Sequence, residues 1–189
     1  MAITGGIGAG KSEALRAFAR HGAAVVSSDE IVHRLLREDA EVRRALVERF
    51  GERIVDEAGQ ISRKAIAAIV FADRDALAWL EALLHPRVVA EYLDWRERLG
   101  RLAAPPPLCV TEVPLLYEVG GETRFDAVVL VTAPEEVRRV RARTSLADRS
   151  PRLISDEEKA KRADFAYENT GSLDDLDSFV SDVVAKLTG

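Results

Sequence analysis

The sequence predicts an α/β fold: a three-layer sandwich built on a five-stranded parallel sheet, with a helical insertion domain and a short lid. Two observations predict the sheet and one predicts the insertion. Short apolar runs of β-forming residues recur along the chain, and helical patterns separate them. Continuous apolar runs between helices are the mark of strands buried on both faces, as in parallel sheets. Residues 30–105, by contrast, carry helical periodicity with no strand signal.

The first run is "MAIT" (1–4). It is short for a buried central strand, so the chain is expected to begin upstream. It leads into "GGIGAGKS" (5–12), which fits the G-x-x-x-x-G-K-[ST] pattern of a P-loop. Glycine permits positive φ and has no Cβ, so the chain can wrap closely around an anion. Successive N–H groups then point inward as a nest. The next segment, "KSEALRAFARHG", has helical periodicity, and its free N–H groups and positive dipole end face the same anion. Gly6, Ile7, Gly8, Ala9, Gly10, Lys11 and Ser12 are therefore the candidate nucleotide ligands. Lys11 is placed to reach the β- and γ-phosphates and Ser12 to ligate Mg²⁺, which makes ATP and Mg²⁺ the expected cofactors and the core a P-loop nucleotide-binding sandwich.

The second strand is "AAVVS" (23–27), and Asp29 follows it directly. A parallel strand brings Asp29 to the edge that carries the loop, where a carboxylate can take the proton of an attacking hydroxyl. Equally, Ser28 or Asp29 can cap a helix beginning at Glu30. Helices follow around 30–37, 40–50, 63–70 and 74–99. This is far more chain than a βαβ crossover needs. The insertion, 30–105, leaves and re-enters near the carboxyl edge of the strands, where open α/β sheets bind ligands, so it is a candidate acceptor-binding lobe. The core is then 1–29 plus 106–189. His85 lies in "LLHPR", where His-Pro marks a helix break or kink; a structural role suits it better than a catalytic one. "APPP" (104–107) ends the insertion.

"LCVTEV" (108–113), "AVVLV" (127–131) and "FAYE" (165–168) complete the strands. Glu112, near the end of the third, can contact Mg²⁺ through water or bind the acceptor, or can simply be a polar strand end. The run 138–152 holds Arg138, Arg139, Arg141, Arg143, Arg149 and Arg152. Arginines closing over ATP neutralise charge on the transferred phosphoryl group and exclude water. Most of the run is expected to be a solvated basic face, with one or two functional members. In the last helix Leu173, Leu176, Phe179, Val180, Val183, Val184 and Leu187 form one apolar stripe. Ser172 with Asp175 resembles a capping box with Asp in place of Glu.

Composition limits the function classes. At 189 residues, 47% apolar and 31% charged, the chain is an ordinary globular protein with room for one substantial core. A net charge of −5, with no aromatics among the arginines, argues against nucleic-acid and membrane-surface roles. No apolar run is long enough to span a bilayer. The single cysteine, Cys109, excludes an internal disulfide and fits a reducing compartment, so the cytoplasm is the expected location.

Taken together these segments resemble the dephospho-CoA kinase family. "TGGIGAGKS" (4–12) is similar to its "TGGIGSGKS"-like loop, and "SSD" (27–29) stands at its Asp-x-Asp. "FGERIVDEAGQISRKAIAAIVFADRDALAWLEALLHPRV" (50–88) follows its pattern of a glycine turn, Ile-x-Arg, Val-Phe and Leu-His-Pro. "EVPLLYE" (112–118) resembles its "DVPLLFE", and "KRADFAYENTGSL" (161–173) its "RADYVIDNSGSL". The likeness covers nearly the whole chain.

The resemblance implies ATP-dependent phosphorylation of the ribose 3′-hydroxyl of dephospho-CoA to give CoA, the last step of CoA biosynthesis. It implies a helical CoA-binding domain and a lid at about 141–155. Asp29 matches the family's base, with Lys11 beside it. Asn169 and Gly171 match the loop near the ATP adenine, Arg141 and Arg149 match lid-flanking arginines, and His85 and Glu112 fall on the acceptor side. Three departures stand out: Ser27 replaces an Asp, Glu112 replaces an Asp, and the stretch from Arg141 to Arg149 is shorter than usual, with Leu153 where the family has Gln. Two other readings compete: a catalytically weak nucleotide-binding protein, and a kinase of another small hydroxylated acceptor. A monomer or weak homo-oligomer acting on a small molecule is expected.

Overall fold

The computed structural model describes residues 1–141 and 153–189. The expected five-stranded parallel sheet is present. Its strands are β1 (Ala2–Thr4), β2 (Ala24–Ser27), β3 (Cys109–Glu112), β4 (Val128–Thr132) and β5 (Phe165–Glu168), ordered β2-β3-β1-β4-β5. Every pairing is parallel. The chain builds β2 and β3 on one side of β1, then crosses to lay β4 and β5 on the other. The crevice for ligands in such a sheet opens at this reversal, at the carboxyl end of β1.

The chain divides into two compact units, Met1–Ser27 with Arg98–Gly189, and Ser28–Glu97. In the first unit, helices α1 (Lys11–Arg20) and α8 (Leu173–Thr188) cover one face of the sheet. Phe18, Ile3, Val110, Val129, Val131, Leu176 and Val180 are buried together there. Ala2, Val128, Leu116 and Tyr117 form a second cluster, on which Val113, Phe125 and Ile154 pack. Alternation explains the division: Val128 belongs to one cluster and Val129 and Val131 to the other, since successive strand side chains point to opposite faces. With both faces covered, central strand β4 reads as an unbroken apolar run, Val128 to Val131. Two further helices, α6 (Glu135–Arg141) and α7 (Asp156–Arg162), flank the region outside the described residues. The capping box is present as the sequence suggests: Asp175 N donates to Ser172 Oγ and Ser172 N donates to Asp175 Oδ2. A cap of this kind is worth about 1 kcal/mol.

The second unit contains α2 (Ser28–Glu38), α3 (Ala40–Phe50), α4 (Arg63–Ala72) and most of α5 (Arg74–Gly100). Asp39 caps α3 and Ser62 caps α4 with side-chain oxygens. Phe50 packs edge-on to Trp79, ring centroids 5.3 Å apart. The helix expected over 74–99 is present as α5, which runs 27 residues with Pro86 inside and no break at His85. Proline removes one N–H from the ladder, and here the Arg87 guanidinium donates to the Leu83 carbonyl at 2.9 Å, adding a side-chain donor in that turn. Helix α2 begins at Ser28, not Glu30, so Ser28 and Asp29 lie within its first turn rather than capping it.

Candidate active site

The phosphate loop follows β1 without a break. Gly5, Gly8 and Gly10 have φ of 145°, 74° and 104°, values that L side chains rarely adopt. The absent side chains matter as much as the angles, because neighbours already fill the space. A Cβ on Gly5 would collide with the Val131 carbonyl of β4, and one on Gly10 with the Asn169 amide. The backbone carbonyl of Arg138 lies 2.7 Å from where a Cβ on Gly8 would stand. The chain thus winds tightly against β4, α6 and the residue after β5, and within the loop the Ala9 N–H donates to the Gly6 carbonyl at 3.3 Å.

Lys11 opens α1, is largely buried, and donates from Nζ to the Gly6 carbonyl at 3.0 Å. That bond arches the side chain back over the loop, on the side of Gly6 and its neighbours. Ile7 is exposed at the crest. Ser12 is exposed in the first turn of α1, beside the helix N–H groups. Among the described residues no cluster of three or more His, Cys, Asp or Glu forms a cation cage. One hydroxyl next to a phosphate cradle suits Mg²⁺, which keeps water and phosphate oxygens as ligands.

Asn169 and Arg141 close one side of the loop. Asn169 is buried, and its Nδ2 donates to the Ala9 carbonyl at 2.9 Å. Arg141 donates to the Asn169 carbonyl at 3.3 Å, which links the end of α6 to the residue after β5. Gly171 leaves room for the Asp175 carboxylate, whose Oδ2 a Cβ there would strike. Glu112 is buried at the end of β3 and pairs in register with Ser27 of β2 and Ile3 of β1. A carboxylate therefore stands at the carboxyl edge of the sheet, one strand from the residue that starts the loop.

Asp29 and His85 belong to the second unit. Asp29 is exposed in the first turn of α2, two residues beyond the end of β2. His85 lies inside α5. Arg149, Arg143, Arg152 and most of the expected lid lie outside the described residues.

Two features were missed from sequence. Arg138 belongs to a run expected to be mostly a solvated basic face, yet its side chain is only 15% exposed and lies on the phosphate loop. Its spacing of three from Arg141 was a usable signal, because that spacing puts both on one helix face. The second is the ion pair between Lys159 Nζ and Glu118 Oε1, at 2.7 Å and buried on both sides. Neither residue carries a local pattern that predicts it.

The dephospho-CoA kinase (CoaE) family profile matches residues 1–175. Dephospho-CoA kinase of Thermus thermophilus is 41% identical, with 99% of this chain and 91% of that protein covered. The Chlamydia abortus enzyme of the same name is 36% identical, with 100% and 96% covered. Among solved structures, TT1252 from Thermus thermophilus superposes with a TM-score of 0.77 at 40% identity, covering 100% of this chain and 97% of that one. Dephospho-CoA kinase from Campylobacter jejuni gives 0.72 at 27% identity, covering 99% and 96%. Shikimate kinase from Aquifex aeolicus shares the fold alone, at a TM-score of 0.53 and 15% identity. A glycine loop of this kind occurs in many nucleotide-binding folds, but the match extends through the helical unit as well, and the chain belongs to the dephospho-CoA kinase family.

Proposed function

We infer that the protein transfers the γ-phosphoryl group of ATP to the ribose 3′-hydroxyl of dephospho-CoA, releasing ADP and CoA. One observation carries this reading: the family match spans residues 1–175 and so includes all of the helical unit 28–97, the part that would meet an acceptor. A match confined to the loop would support nucleotide binding only.

The chain's own groups divide the work. The N–H groups of Gly6 to Ser12 hold the phosphates, and the α1 dipole adds to their field. Lys11 exchanges the Gly6 carbonyl for the β- and γ-phosphates. Ser12 would hold Mg²⁺, which when bound would draw charge from the phosphate oxygens. Asp29 takes the proton of the 3′-hydroxyl as the oxygen bonds to the γ-phosphorus, and the bond from that phosphorus to the ADP oxygen breaks. Arg141 and Arg149 neutralise the charge on the moving group, and Asn169 and Gly171 shape the nucleotide side. Residues 28–97 form the acceptor lobe, with His85 and Glu112 as acceptor-side groups. The protein works as a monomer or weak homo-oligomer in the cytoplasm; among the described residues no helix is long and apolar enough to cross a membrane.

The test is ADP release measured with and without dephospho-CoA, with the product mass determined. Acceptor-dependent ADP and a product heavier by one phosphoryl group are expected. Equal ADP in both arms, or an unmodified acceptor, would defeat the reading.

A further inference from the structure

Arg138 is the least expected charge in the molecule. Its guanidinium fills the space that a Cβ on Gly6 would need, and its backbone carbonyl bears on Gly8. Its NH1 pairs with Asp156 Oδ2 at 3.2 Å. Its Nε is fully buried with no hydrogen-bond partner among the described residues. Gly6 also receives the Lys11 ammonium on its carbonyl. Two cations therefore meet one glycine of the phosphate loop, and only one of them is the lysine of the motif.

Bringing a largely buried arginine up to a second cation is unfavourable unless an anion compensates, because charges in a low-dielectric setting are weakly screened. Asp156 supplies one negative charge to Arg138, at an outer position where its carboxylate is 28% exposed. A bound polyphosphate would supply several more. Packed against Gly6 and Gly8, Arg138 adds positive field to the loop.

We propose that Arg138 is a nucleotide-positioning residue: it packs on Gly6 and Gly8 and supplies the charge that raises the loop's affinity for a polyphosphate, a charge that the partly exposed Asp156 offsets only in part. The proposal deepens the nucleotide half of the function inferred above and rests on that reading. It assigns to Arg138 a preference for nucleotides with a β-phosphate over those without.

The experiment is calorimetric binding of MgATP, MgADP and AMP to the full chain with no acceptor present. In Arg138→Gln, affinity for MgATP and MgADP is expected to fall about tenfold, the scale of a charge-assisted interaction, with AMP little changed. Arg138→Lys keeps the charge and should retain most of the affinity. The loss should shrink as salt is raised, because screening weakens the field. In steady state the change should fall on KM for ATP more than on kcat. Asp156→Asn removes the partly exposed partner and leaves the arginine charge beside the loop, so it should bind MgATP at least as tightly as the parent; this variant also decides the matter if Arg138→Gln does not fold. Equal losses for ATP and AMP, or a loss in Asp156→Asn like that expected of Arg138→Gln, would reduce Arg138 to a structural brace and overturn the proposal. Acceptor-dependent turnover plays no part in these binding measurements, so failure of the dephospho-CoA reading and failure of this one are separable.

Discussion

The Asn169 side-chain amide donates to the main-chain carbonyl of Ala9 at 2.9 Å, so the residue that follows the last strand grips the phosphate loop at its middle. The bond is buried, and Arg141 in turn donates to the Asn169 carbonyl. The loop's shape is thereby set by residues remote from it in the chain. Asn169→Ala leaves the Ala9 carbonyl without this donor. It is expected to destabilise the protein by about 1–3 kcal/mol, the cost of a lost buried hydrogen bond, and to weaken MgATP binding. Denaturant unfolding and nucleotide titration of the same variant check both halves.

Lys11→Met should lower kcat by about a hundredfold or more, comparable to removal of one preorganised charge-stabilising donor. The far-ultraviolet spectrum should be unchanged, because the methionine stem fills the same volume. Turnover close to the parent's would remove Lys11 from the chemistry.

Asp29→Asn should lower the chemical rate about 10²- to 10⁴-fold, the range of general-base catalysis, with a much smaller change in ATP affinity. Single-turnover rates beside nucleotide binding separate the two effects. Equal rates for the variant and the parent would take the proton-accepting role from Asp29.

Lys159→Met removes one partner of the Lys159–Glu118 pair, whose side chains are 4% and 6% exposed. The carboxylate left behind is buried and uncompensated, and its Oε2 already has no hydrogen-bond partner among the described residues. A loss of about 3–5 kcal/mol is expected. Joint replacement of both residues by apolar ones should recover much of it, and a double-mutant cycle in denaturant measures the coupling.

Asp177 accepts from the Arg20 guanidinium at 2.7 Å and meets His21 Nε2 at 2.9 Å. The Arg20 hydrogen bond, then the His21 contact, hold its carboxyl below the usual 3.8. A carboxyl with a depressed folded value stabilises above its unfolded value and loses that contribution as pH falls through the folded one. Asp177→Asn should therefore be less stable than the parent at neutral pH, and the gap should close as pH drops below 3.8. A gap that stays constant across an acid titration of stability would refute the assignment.

Much of this was legible locally. The five strands lie where the apolar runs lie, because central strands covered on both faces are mostly apolar, while edge strand β5 alternates half-buried and exposed residues. The glycine loop, the Ser172–Asp175 box and the four helices of 28–97 follow from spacings of a few residues. Periodicity over 74–99 already carried the helix past Pro86, which lies inside α5 with the Arg87 side chain donating in the preceding turn. Ser28 and Asp29 are helical rather than capping.

The residues that surround the loop are another matter. Arg138 was indistinguishable from its solvated neighbours, and nothing near Lys159 names Glu118 as its partner. A charged side chain reads as surface by default, and only packing shows which ones are enclosed and by what. Chain pattern dictated the strands, the loop and the cation that opens α1, since each depends on neighbours in sequence. Which distant groups brace that loop, Asn169 at Ala9 and Arg138 at Gly6, was settled by the sheet order, because strand pairing sets β4 beside β1 and β5 beside β4, and no local periodicity encodes that encounter.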